Sequence, residues 1–94
     1  MELSEKYIQT LEREGFKHIF EWEDKPGTTY PVHAHKGRVT IFITDGSVLF
    51  DFSGEKKEVN AGERFDVPVN SPHSAVVGDK GAIYIVGEMI EGDS

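Results

Sequence analysis

The chain has no cysteine, which excludes a disulfide framework, a zinc ribbon and a cysteine nucleophile. Basic residues are scarce: ten Lys and Arg stand against seventeen Asp and Glu, a formal charge of −7 at pH 7. The excess is local, with seven acids against three bases in residues 1–24, three acids and no base in residues 88–94, and a balanced stretch between. Without a concentrated basic face, no binding to a nucleic-acid backbone is expected. Long apolar runs are also missing. The longest, such as Ala82-Ile83-Tyr84-Ile85-Val86, fall far short of a membrane span, and Met1-Glu2-Leu3-Ser4-Glu5 has no basic and apolar signal-peptide pattern. These absences predict a soluble, cytoplasmic protein with no membrane partner.

What is present suffices for one core: 94 residues, 37% of them hydrophobic, with six Phe, three Tyr and one Trp. Ser4 to Glu14 carries the one helical pattern, with Ser4 as N-cap, Gly15 as stop, and Leu3, Tyr7, Ile8 and Leu11 along one side. The expected organisation is an N-terminal helix over 1–15 followed by a single β domain over 16–94, with Gly92-Asp93-Ser94 as a frayed tail.

From Phe16 on, β-branched and aromatic residues come in short runs separated by turn chemistry. Strands are predicted over 16–23, 29–35, 38–44, 47–52, 56–59, 64–68, 73–78 and 82–90. Asp45-Gly46, between two apolar runs, reads as a hairpin turn. This spacing predicts an all-β fold, a small antiparallel barrel or jelly roll.

The first chemical feature is His33-Ala34-His35. In a strand, side chains two apart share a face, so both imidazoles can approach one ion. His73, in a later apolar strand behind Pro68 and Pro72, can return to the same interior. His18 reads as a surface histidine. The segment Gly27 to Gly46 resembles the first cupin motif: Gly, five residues, His-x-His, three or four residues, Glu, six residues, Gly. Here Gly27, His33, His35 and Gly46 keep the spacing, and Val39 stands where the motif has Glu. The second cupin motif, Gly, five residues, Pro-x-Gly, two residues, His, three residues, Asn, is similar to Gly62, Pro68, Asn70, His73 and Val77 in register. Asn70 replaces a glycine and suits a left-handed turn residue.

The resemblance implies a cupin barrel that holds a divalent transition metal (Fe, Zn, Ni or Mn) on His33, His35 and His73, with no carboxylate at position 39. Three neutral imidazoles leave the ion's charge unbalanced and a coordination position open. Strand parity then turns Val39, Ile41 and Ile43 inward as an oily pocket for a small-molecule ligand. Tyr30, Arg38 and Tyr84 are candidates for its polar part; Asp66 is expected to face out. Phe42, on the opposite face, predicts a partner surface, most simply a homodimer. The expected function is a metal-binding cupin acting on a small molecule, possible chemistries being dioxygenase-like or Lewis-acid. No residue stands out as a general base. A non-catalytic ligand-binding or sensing module and a metal-free barrel are the alternatives.

Overall fold

The structure, a computed structural model, describes residues 3–89. Helix α1 (Leu3–Arg13) begins one residue before the expected Ser4 cap. It ends in a Schellman motif: Phe16 N donates to Leu11 O and Gly15 N to Glu12 O, both at 3.1 Å, with Gly15 at φ +95°. Tyr7, Ile8 and Leu11 form its packed side, whereas the Leu3 side chain, like the tail at 92–94, lies outside the described residues.

Six antiparallel strands follow: β1 (His18–Asp24), β2 (Thr29–His33), β3 (Val39–Phe52), β4 (Glu55–Asn60), β5 (Arg64–Val67) and β6 (His73–Glu88). The eight predicted segments are recovered as six because β3 and β6 each join two of them. Their pairing gives two four-stranded halves. One consists of β1, the second half of β6, the first half of β3, and β5; the other of β2, the first half of β6, the second half of β3, and β4. Both halves turn their inner faces onto one core that contains Ile41, Ile43, Val48, Phe50, Val59, Ala75, Val77, Ala82 and Val86. The result is a jelly-roll-like sheet folded over on itself; among the described residues it does not close into a ring.

Asp45-Gly46 is therefore not a hairpin. The register of β3 with β6 shifts between Ile43 and Asp45, and again between Gly46 and Val48, where β6 spends the extra residues 78–81. Both strands bend there from one half of the sheet to the other. Gly46 sits at φ +78°, and a Cβ on it would lie 1.9 Å from the Gly81 carbonyl oxygen. The two-residue hairpin is Ser53-Gly54 instead: φ is +59° and +97°, Phe52 pairs with Glu55, and Gly54 N donates to Asp51 Oδ1 at 2.7 Å. Positive φ at both central residues is what a type I′ turn requires.

Phe42 does face outward, but α1 of the same chain covers it. Tyr7 stacks on its ring at 4.2 Å, and Leu11, Phe16 and Ile85 complete this second core. Phe42 is thus buried, and the apolar surface that motivated a homodimer is used up within the chain. Gly87 lets the helix approach, since a Cβ there would meet both Leu11 methyls at 3.1 Å. No helix among the described residues is long and apolar enough to cross a membrane.

Arg64 ties the end of α1 to the sheet. Its guanidinium bonds both Glu14 oxygens (2.6 and 2.7 Å) and Asp66 Oδ1, and lies 5.3 Å from the Phe42 ring centroid. The hydrogen bond from Arg64 holds Glu14 below its ordinary pKa. Burial works to raise Asp66, but hydrogen bonds from Thr40 and Arg64 outweigh it and keep that carboxyl low as well. Lowered folded-state values mean stabilisation that is present above the ordinary carboxylate range and lost as pH falls through the folded values. Arg64→Gln is expected to cost roughly 1 kcal/mol at pH 7, a figure kept small because the network is exposed. The loss should shrink as pH falls below the ordinary carboxylate range, as read from thermal midpoints at pH 7 and in acid.

Candidate metal centre

β2 and the first half of β6 are neighbours, and His33 faces His73 directly in their ladder. β2 stops at His33, so His35 stands in the following loop, where its carbonyl accepts a 2.8 Å bond from Asn70 N. Asn70 takes φ +59°, the left-handed conformation expected of it. The three rings come together: centroids are 4.6 Å apart for His33 and His73, 4.8 Å for His33 and His35, and 5.3 Å for His35 and His73. One ligand nitrogen from each lies within 4.8 Å of the others. Two metal–nitrogen bonds of about 2.1 Å at a tetrahedral angle set their nitrogens about 3.4 Å apart, so an ion would draw the widest pair together by more than about 1 Å.

The other ring nitrogens are what make the set fit an ion. His33 Nδ1 donates to the Pro31 carbonyl at 2.7 Å and His73 Nδ1 to the Ser71 carbonyl at 2.8 Å, in each case two residues upstream. A neutral imidazole that donates through Nδ1 leaves Nε2 as its lone pair. Burial, reinforced by the two neighbouring imidazoles, lowers the pKa of His35 and favours the neutral form of that ring. His73 is 2% exposed, with Phe50 and Phe52 rings against it, whereas His33 is exposed. The site therefore has a buried floor and an open side.

The rings border a cavity of about 320 Å³. Val39, Ile41, Val48, Phe50, Val67, Ala75 and Val86 give it apolar walls; Ile43 lies in the same core, outside the lining. Phe20 and Trp22 of β1 form an exposed aromatic edge, with Tyr30 and Tyr84 beside them. Both tyrosine rings line the cavity, but their hydroxyls are engaged elsewhere. Tyr30 and Tyr84 donate to Asp24 at 2.6 to 2.8 Å, and Trp22 Nε1 adds a third bond at 3.0 Å. Burial first, then the hydrogen bond to Asp24, raises both phenol pKa values, so neither is a base or nucleophile near neutrality. Arg38 is not in the lining. One residue out of step with Val39, it points from the other face and sets its guanidinium 4.9 Å from the Phe16 ring centroid. Asp66 faces out as expected, and His18 is exposed.

Asp24 and Glu88 are the polar residues that composition hid, since both fall within the acidic ends of the chain. Alternation was the available signal: Phe20, Trp22 and Asp24 on β1, and Ala82, Tyr84, Val86 and Glu88 on β6, each share one side. Asp24 is 9% exposed and braces both phenols by accepting their hydroxyl hydrogen bonds. Glu88 lines the cavity itself.

The family model for the Cupin domain matches residues 20–86. The chain belongs to the cupin family. No curated protein matches this cupin. Among solved structures, it is similar to an RmlC-like cupin from Shewanella frigidimarina, 24% identical, with a TM-score of 0.64 over 80% of this chain and 68% of that one. It is also similar to the oxalate decarboxylase of Bacillus subtilis, a protein with Mn(II) centres: 25% identity, TM-score 0.65 and 81% of this chain. The polyketide cyclase RemF from Streptomyces resistomycificus matches at 25% identity and TM-score 0.64 over 82% of this chain. The cupin spans 22% of the length of the decarboxylase and 58% of that of the cyclase. Its candidate site is a histidine triad on a cupin scaffold.

Proposed function

We propose that this cupin holds one divalent transition metal on His33, His35 and His73 and acts on a small, largely apolar molecule that carries one coordinating atom. The observation that carries the reading is the pair of backbone-anchored imidazoles, His33 and His73, each donating through Nδ1 so that both Nε2 lone pairs are free beside the neutral His35. A bound ion would supply Lewis acidity and, if redox-active, a route for electrons. The chain's own part is to orient the donors, exclude water with Val39, Ile41, Phe50 and Val86, and hold the guest against aromatic rings. With no lysine or arginine in the lining, anchoring of an oxygen or sulfur donor falls to the ion.

The test is direct. Untagged protein incubated with Mn(II), Fe(II), Ni(II) or Zn(II), then desalted, is expected to retain about one ion per chain by elemental analysis, as a single three-imidazole site requires. If none of the four ions is retained, the reading is overturned. Oxygen uptake by iron-loaded protein, measured with a panel of thiols and diketones, then separates an oxygen-activating cupin from a binding module: turnover assigns the first, and a loaded but inert protein the second.

A further inference from the structure

Glu88 closes β6 on the side of the sheet that faces the cavity. The ladder pairs it with Val39, the position where the first cupin motif has its glutamate, and both residues line the cavity. Alternation along β6 agrees, because Ala82 and Val86 lie in the inner core while Ile85 packs under α1. Glu88 is partly buried and, among the described residues, is the one carboxylate in the lining. Among the described residues nothing forms an ion pair or side-chain hydrogen bond with it. A carboxylate turned toward apolar walls without a partner is unfavourable, and no Lys or Arg in the lining answers it.

We propose that Glu88 supplies, from the neighbouring strand, the negative charge that position 39 lacks, and so sets the affinity of the site for a divalent cation. The inference rests on the three-histidine reading above. Three neutral imidazoles leave both charges of the ion uncompensated, and a carboxylate in the same cavity offsets one through a medium of lower dielectric than water. The carboxylate lies outside the tight cluster of imidazole nitrogens, so its role is that of a charge partner across the cavity. The ladder makes the two positions interchangeable in principle, because directly paired residues project to the same face.

The experiment is calorimetric titration with Mn(II) alone into wild type, Glu88→Gln, Glu88→Asp and the exchange variant V39E/E88Q. Glu88→Gln is expected to weaken binding about tenfold at unchanged stoichiometry, the scale of losing a supporting group around a metal. Glu88→Asp, which keeps the charge, should stay within about threefold of wild type. V39E/E88Q should recover most of the loss. In chelator, Glu88→Gln should melt no lower than wild type, because it removes an unpaired charge and keeps the shape; a purely structural glutamate would give the opposite sign. Wild-type affinity in Glu88→Gln overturns the proposal, and an exchange that recovers nothing overturns the equivalence of 39 and 88. If wild type itself binds no Mn(II) while another ion is retained, the same four proteins are titrated with that ion. If wild type retains none, the three-histidine reading fails and this proposal with it.

Discussion

His73→Ala is expected to abolish metal retention while leaving a folded protein. His73 is the buried member of the trio, fixed by the Ser71 carbonyl and flanked by Phe50 and Phe52, so no neighbouring side chain can swing in to replace its nitrogen. Two imidazoles, one of them exposed, then remain. The expected loss exceeds the roughly 10–100-fold that outer supporting groups are worth. Truncating a buried ring also costs packing, of order 1–3 kcal/mol, so the check has two parts: elemental analysis for the ion, and a thermal melt in chelator for the fold. His35→Ala provides the same test at a partly exposed position, where packing contributes less. Retention of about one ion per chain by both variants would remove the site.

Gly46→Ala is expected to destabilise the protein by about 4 kcal/mol or more, enough to unfold many domains of this size. At the second central residue of an ordinary hairpin, the same change would meet only the left-handed backbone penalty of about 1–2 kcal/mol. Here the new methyl would also stand 1.9 Å from the Gly81 carbonyl oxygen, and that atom is main chain in the extra stretch 78–81 of β6, so no side-chain rotation can move it aside. Gly54→Ala is the comparison. It has φ +97° in the Ser53-Gly54 turn but open space around its Cβ position, so its loss should stay near the backbone penalty alone. Equal denaturation midpoints for the two variants would contradict a corner at Gly46.

These two glycines show where the sequence was legible and where it was not. Asp45-Gly46 and Ser53-Gly54 carry the same message, a residue pair that tolerates positive φ. A local signal of that kind cannot distinguish a chain that reverses from one that bends and continues with the same partner. The apolar segments were legible although β3 and β6 each join two of them, because apolar runs on either side of a bend look alike whichever path joins them. Parity worked in the same limited way. It placed Val39 and Ile41 on the inner side and Phe42 on the outer side, but what covers Phe42 is a helix some thirty residues upstream, and no periodicity within β3 records that. Motif spacing anticipated the meeting of His33, His35 and His73, because the turn residues between them, Asn70 included, prescribe how much chain is needed to return to one place. In the sequence, Tyr30 and Tyr84 suit a polar lining because a phenol near a pocket has a hydroxyl to offer; the competing acceptor, Asp24, looks like one more acid in a charged N-terminal stretch.

The carbonyls of Pro31 and Ser71 hold His33 and His73 from the main chain, so the aim of these two rings is written in backbone shape and, for His73, in the packing of Phe50 and Phe52, and owes nothing to Val39, Ile41 or Val86. The guest-binding walls can therefore be redrawn by substitution, at Val39, Ile41 or Val86 for example, without retuning the donors. Such a division lets one chassis explore new chemistry while its reactive centre stays in place.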